Sequence, residues 1–223
     1  MIFILQKKKD TSVPIIKMKD KMQVKNAQFI SSNTNHLACP KGDKPEYAFI
    51  GRSNVGKSSL INMLVNHEGL AKTSSKPGKT QLINHFIINE KSNPWYLVDL
   101  PGYGYAKTSK SSAEVWSKFT LDYLIKRSNL LCVFVLIDSR LSPQKIDLEF
   151  MTWLAENQLA FCIVFTKTDK LNKVVLAKNL EHYKKVLLQD WEELPQIFVT
   201  SSELKKGREE ILQFISETNT LME

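Results

Sequence analysis

The chain contains no apolar run approaching the roughly 20 residues that a membrane-spanning helix needs, which excludes a transmembrane helix. Its apolar start, Met1 to Leu5, is too short for a secretion signal core and is followed by positive charge rather than preceded by it. The three cysteines, Cys39, Cys132 and Cys162, are odd in number and lack metal-ligand spacing, which argues against a disulfide framework or a zinc site. Cys132 and Cys162 lie inside apolar runs and read as buried thiols of a reducing cytosol. The histidines, His36, His67, His85 and His182, show no ligand spacing either and read as structural. Internal repeats and low-complexity blocks are also missing. What remains is a cytoplasmic globular chain of 223 residues, one domain with appendages and enough apolar sequence for a full α/β core.

Acidic residues are scarce where they would matter most. Residues 1–25 hold seven lysines against Asp10 and Asp20, so five of the eight net positive charges lie there. Residues 1–21 are expected to be a disordered lysine-rich tail, with Met18 and Met22 as alternative starts, and 22–223 to form the domain. Two further segments are basic without acid: Lys72, Lys76 and Lys79 in 69–89, and Lys107 and Lys110 in 100–113. The second also carries Tyr103 and Tyr105. Lysines with tyrosines suit phosphate backbones and exposed bases, although both kinds of residue also serve as ordinary solvated or locally packed loop residues.

Apolar runs at 47–50, 95–100, 130–137, 160–165 and 197–199, with an alternating stretch at 81–89, predict six strands. Gln23 to Ile30 is a candidate extra edge strand. Helical patterns fall at 113–127, 143–157, 172–189 and 206–219, the second starting at Ser142-Pro143. Alternation of strands and helices predicts an α/β fold: a doubly wound, mostly parallel six-stranded sheet flanked by helices, with its ligand beyond the carboxyl ends of the strands.

The chemistry-bearing motifs fall at those ends. Gly51-Arg52-Ser53-Asn54-Val55-Gly56-Lys57-Ser58 fits the phosphate-loop pattern between a strand and a helix. Its backbone N–H groups would cradle a polyphosphate, Lys57 would reach the β/γ oxygens, and the Ser58 hydroxyl would ligate Mg²⁺. Asp99-Leu100-Pro101-Gly102 closes another strand. Asp99 would hold Mg²⁺ through water, and the Gly102 N–H would meet a γ-phosphate. Thr166-Lys167-Thr168-Asp169 ends a third strand, and a carboxylate at 169 can accept from guanine N1–H and N2–H₂, which adenine cannot offer. The Lys167 stem would cover the base plane. Thr200-Ser201-Ser202 follows the last strand, either contacting the base through a backbone N–H or capping the next helix. Between them lies Gly78-Lys79-Thr80-Gln81-Leu82, with Thr80, ahead of Thr73, as the candidate that binds Mg²⁺ and senses the γ-phosphate.

Taken together, Gly51 to Ser59, Pro77 to Gln81, Asp99 to Ala106 and Thr166 to Asp169 resemble the EngB family of bacterial GTPases, over about residues 23 to 219. The resemblance implies a Ras-like phosphate-loop GTPase that binds GTP and GDP with Mg²⁺ and works as a monomer on the large ribosomal subunit precursor, with a link to cell division and septation. It also implies that Thr166, where most guanine GTPases carry Asn, is typical. Lys57, Thr80, Gly102 and Asn54 are the expected catalytic residues. In related GTPases the residue matching Asn54 helps hold K⁺ near the β/γ bridge, so K⁺ is a candidate second cation; the alternative is that Asn54 only shapes the loop. Ras-type enzymes orient water with a glutamine where this chain has Tyr103, so slow intrinsic turnover is expected. A nucleotide-gated adaptor with incidental hydrolysis is the competing expectation.

Overall fold

The computed structural model describes residues 22–72, 82–103 and 118–222. The lysine-rich tail at 1–21, the 73–81 segment with Gly78, Lys79, Thr80 and Gln81, and the 104–117 segment with Tyr105, Lys107 and Lys110 lie outside them. In chain order the strands are β1 (Ala27–Asn33), β2 (Glu46–Gly51), β3 (Ile83–Ile88), β4 (Trp95–Asp99), β5 (Leu130–Asp138), β6 (Phe161–Thr166) and β7 (Ile197–Val199). The helices are α1 (Lys57–Val65), α2 (Lys118–Lys126), α3 (Lys145–Glu156), α4 (Lys173–Leu187) and α5 (Arg208–Asn219).

One sheet orders them β1-β3-β4-β2-β5-β6-β7, parallel from β4 to β7 and antiparallel where β3 joins β4 and β1 joins β3. The sheet is thus seven-stranded, the six expected strands plus the extra edge strand, which runs slightly later than Gln23–Ile30. Helices cover both faces. Tyr47 and Phe49 of β2 face Leu60, Ile61 and Leu64 of α1 and Ile211 and Ile215 of α5. Ala48 and Ile50, the alternate residues, face Tyr123, Phe150, Leu154 and Tyr183 from the helices of the other layer. Burial on both faces explains the unbroken apolar runs of β2, β5 and β6.

The expected helix starts also differ by a residue or two, as at 143–157. The helix read from Ser142-Pro143 begins at Lys145, with Gln144 as an N-cap whose side chain does not cap the helix. Gln144 Nε2 donates to the Ser142 carbonyl instead, so Ser142 stays in the turn before the helix.

At the amino ends of the strands, away from the motifs, Glu46 is fully buried. Its Oε2 accepts from Arg127 Nη2 at 2.6 Å, and its Oε1 accepts from Arg127 Nε at 3.0 Å and from the Tyr123 hydroxyl. His85 Nε2 stands 3.5 Å from Oε2. Burial pushes the Glu46 carboxyl up, but the His85 ring and the Arg127 guanidinium more than offset it and hold it at about 2. The folded value lies below the unfolded one. The network therefore stabilises fully above pH 4.5 and loses its contribution as pH falls toward 2, a difference of about 3 kcal/mol. Replacing Glu46 by Gln should lower stability at pH 7 by about that amount and flatten the acid limb between pH 4.5 and 2. Urea unfolding of both proteins at pH 7 and pH 3 reads this directly; an equal pH dependence in the two proteins would remove Glu46 from the acid transition.

Candidate functional site

Four loops converge at the carboxyl ends of β2, β4, β6 and β7, and the sequence motifs occupy all four. The loop after β2 turns through two left-handed residues, Asn54 at φ +63° and Gly56 at φ +105°, and closes with Val55 N donating to Arg52 O at 3.2 Å. Asparagine tolerates that conformation and glycine adopts it freely. Gly56 is the N-cap of α1 and supplies no side-chain bond. The first-turn N–H groups of Lys57, Ser58 and Ser59 therefore have no side-chain cap, which is the arrangement that receives an anion.

The end of β4 is drawn onto this loop. Leu100 N donates to Phe49 O at 3.0 Å and Tyr103 N to Gly51 O at 3.2 Å, extending the parallel pairing past the strand. A Cβ on Gly102 would lie 2.9 Å from Gly51 O, so only glycine fits there. Lys57 and Asp99, both buried, form an ion pair through Nζ and Oδ1. With half-buried Ser58 beside them, the cluster offers one ammonium, one carboxylate, one hydroxyl and an uncapped helix end. That donor set fits a phosphate with a hard divalent cation: Ser58 and Asp99 could hold Mg²⁺, and Lys57 could hold the phosphate oxygens.

The third loop is tied to the first. Thr166 Oγ1 donates to Val55 O at 2.7 Å and to Ile137 O at 3.2 Å. Lys167, left-handed at φ +58°, donates from Nζ to Asn54 O at 2.6 Å and to Asp138 Oδ2 at 2.9 Å. Thr168 donates from its hydroxyl to Thr200 O at 2.9 Å, joining the third loop to the fourth. Asp169 accepts from Ser201 Oγ at 2.7 Å and pairs with Lys170 at 3.0 Å. The Ser201 hydroxyl and, more weakly, Lys170 hold its carboxyl below the usual range, ionised and ready to accept. Ser201 thus acts on Asp169 rather than capping the following helix, whose N-cap is Gly207. Ser202 is half-exposed and Leu82 stands at the entrance to β3.

Two residues bear on the site that the motifs did not reveal. Asp138 ends β5 and accepts from Lys167 and from Arg140 Nε and Nη2, at 2.9 and 2.7 Å for the latter. Burial raises its carboxyl, but Arg140 and Lys167 bring it down to about 2. Its signal was positional, an acid at the carboxyl end of a central strand, where Asp99 also sits. Asp147, buried on α3, is the other. Of the two readings of Tyr103, local packing holds rather than base stacking: it is 2% exposed and its ring centroid lies 4.9 Å from that of Phe150, which also leaves it unable to orient water, as expected.

Comparison with known proteins agrees with this geometry. A family described as "50S ribosome-binding GTPase" matches residues 46–167. The "Probable GTP-binding protein EngB" of Christiangramia forsetii is 57% identical over 198 residues, covering 89% of this chain and 98% of that protein. That of Porphyromonas gingivalis is 58% identical, covering 89% and 97%. Among solved structures, Aquifex aeolicus Era bound to GDP and AlF4⁻ matches with a TM-score of 0.61 at 19% identity, over 78% of this chain and 56% of Era. Era in complex with MgGDPNP and nucleotides 1506–1542 of 16S ribosomal RNA gives 0.62 at 21% identity, over the same shares. At that distance the likeness to Era is one of fold.

Asp169→Asn should lower GTP affinity by about two orders of magnitude and raise affinity for xanthosine triphosphate, because the exchanged donor and acceptor suit the altered base. Competition against fluorescent GDP measures both, and full GTP preference in the variant would take Asp169 out of base recognition.

Proposed function

Because this chain belongs to the EngB family of GTP-binding GTPases, we propose that it hydrolyses GTP to gate its own binding to a precursor of the large (50S) ribosomal subunit. The observation that carries the reading is the join between Gly102 and the phosphate-binding loop, with Lys57 and Asp99 paired beneath it. A γ-phosphate at that join touches two chain segments at once, and GDP touches one.

In this reading residues 51–58 hold the phosphates, and Lys57 exchanges Asp99 for the β/γ oxygens. Ser58, Thr80 and, through water, Asp99 hold Mg²⁺. The ion neutralises charge on the phosphate oxygens when bound. Gly102 offers its N–H to the γ-phosphate. Thr166 to Asp169 and Thr200 to Ser202 take the guanine side, with Asp169 on the base edge and Ser201 aiming it. Thr80 and its neighbours Gly78, Lys79, Gln81 and Leu82 sense the γ-phosphate from the other segment. Loss of that phosphate releases both segments and with them the ribosomal particle. The requirement for cell division and septation then follows from failed ribosome assembly, and the protein acts as a monomer in the cytoplasm. Among the described residues no helix is long and apolar enough to cross a membrane.

Burial of Tyr103 leaves its side chain unable to direct an attacking water, which supports slow intrinsic turnover. The same burial favours a second reading, an adaptor gated by nucleotide occupancy in which hydrolysis is incidental. Asn54 remains the candidate for a K⁺ contact. Its side chain is exposed at the loop, while its carbonyl is taken by Lys167.

Sedimentation with ribosomal subunits in GDP, GTP or a non-hydrolysable analogue should show co-migration with the large subunit that depends on the analogue. Binding indifferent to nucleotide supports an ungated adaptor, and no binding defeats the ribosomal reading. Turnover should also be faster in K⁺ than in Na⁺, with Asn54→Ala abolishing the difference; equal rates in the two salts would leave Asn54 as a shaper of the loop alone.

A further inference from the structure

The third loop holds its lysine in a conformation that local sequence does not favour. Lys167 is left-handed at φ +58°, a region that residues with a Cβ enter only at a cost. Its ammonium ends on acceptors from two other parts of the chain, Asn54 O at 2.6 Å and Asp138 Oδ2 at 2.9 Å. The Lys167 and Asp138 side chains are 26% and 8% exposed, so the pair is shielded from the screening that makes surface ion pairs nearly worthless.

Asp138 is held in place independently of the lysine. It closes β5 in register with Thr166 of β6, and the next residue continues the pairing, Ser139 N donating to Thr166 O at 3.1 Å. Arg140 binds the same carboxylate, with N at 3.1 Å and Nε at 2.9 Å on Oδ1 and Nη2 at 2.7 Å on Oδ2. Arg140 alone therefore neutralises the carboxylate and reaches both of its oxygens. What the contact with Lys167 adds is a fixed place for the lysine. A long side chain loses much rotamer freedom when it is pinned, and here that loss falls on folding instead of on binding.

We propose that Asp138 is a positioning residue for guanine-nucleotide binding: by fixing the Lys167 ammonium beside the phosphate-binding loop, it keeps the lysine stem in place as a preformed cover for the base plane. The proposal rests on the reading that residues 166–169 take the guanine. Contact between a stem and a base plane is indifferent to the number of phosphates and to the groups on the base edge. Loss of the carboxylate therefore weakens GDP, the β,γ-imido analogue of GTP and inosine diphosphate by one common factor, through faster dissociation. Loss of Asp169, which acts on the base edge, instead changes the ratio of GDP to inosine diphosphate.

The test is a double-mutant cycle on the intact protein with Asp138→Asn, Lys167→Ala and the combined variant. Stopped-flow release of fluorescent GDP gives the dissociation rate, competition gives the affinities for the three nucleotides with Mg²⁺, and thermal unfolding is followed in parallel. Asp138→Asn should raise the dissociation rate about fivefold and lower the three affinities alike. In the Lys167→Ala background the same substitution should change the rate by less than about twofold, because the residue through which Asp138 acts is gone. A merely structural role would carry the loss undiminished into that background, and that result would overturn the proposal. A loss confined to the GTP analogue, or a shifted ratio of GDP to inosine diphosphate, would overturn it equally. Asp138→Ser, smaller and without an amide beside Arg140, replaces Asp138→Asn should the latter not fold. If Lys167→Ala weakens GDP and Asp138→Asn does not, the positioning role alone fails; if neither weakens it, the reading of the lysine as a base cover fails as well.

Discussion

The carbonyl of Gly51 is the point on which the site depends. It accepts from Tyr103 N, and this bond carries the pairing of β2 and β4 beyond Asp99, the last residue of β4. Three consequences follow from one contact. Position 102 must be glycine, because a Cβ would strike that same carbonyl. Asp99, three residues earlier, is brought beside the first residue of α1 and pairs with Lys57. And Tyr103 is turned into the layer of helices instead of toward solvent. The loop that holds phosphates and the segment that senses them are thus parts of one hydrogen-bonded unit.

The remaining polar groups of the loop are divided by sign. Its carbonyls at Asn54 and Val55 are taken by Lys167 and Thr166, side chains of the base-recognition loop. The N–H groups at the start of α1 have no side-chain cap. Each carbonyl bond contributes about 1 kcal/mol, but its larger effect is directional. With the acceptors tied back toward β6, the donors face the other way, toward an incoming anion. Asp138 completes the arrangement by giving Lys167 a second acceptor, so the ammonium is fixed between β5 and the loop. Thr166 supplies a hydroxyl that reaches two carbonyls, Val55 O and Ile137 O, from the end of one strand. An absent amide at this position therefore does not leave the loop untethered.

Much of this was legible in the sequence. Unbroken apolar runs marked β2, β5 and β6 because those strands are covered on both sides, and the motifs at their ends marked the converging loops. Other features were hidden for physical reasons. An acid in the first turn of a helix is normally read as a partner for the helix dipole at the surface, so Asp147 carried no sign of its burial. Tyr103 stood in a basic, glycine-containing stretch that read as exposed, and only the pairing of its backbone with Gly51 and Arg52 turns it inward. Ser142-Pro143 has the composition of a helix start, yet the backbone at Gln144 is still extended and the helix begins only after it. The strand at Ala27–Asn33 shows weak alternation because it is an edge strand with Phe29 and Ile30 exposed, and β3 fixes its register.

The two ends of the sheet treat buried charge in opposite ways, and the contrast separates scaffold from site. At the amino ends, Glu46 is answered by Arg127, Tyr123 and Asn129 through direct hydrogen bonds, which leaves no capacity for a ligand. Four hydrogen bonds hold that carboxylate in a fixed geometry. At the carboxyl ends, Lys57 and Asp99 answer one another singly, and each keeps further bonding capacity, two donors on the ammonium and a second oxygen on the carboxylate. A buried pair satisfied this sparingly is costly compared with apolar residues of the same size. Its cost falls when a phosphate and a hard cation take up the unused positions. The Lys57–Asp99 pair, with its unused bonding capacity, is therefore the one suited to a ligand, and the Glu46 carboxylate at the far end holds the scaffold around it.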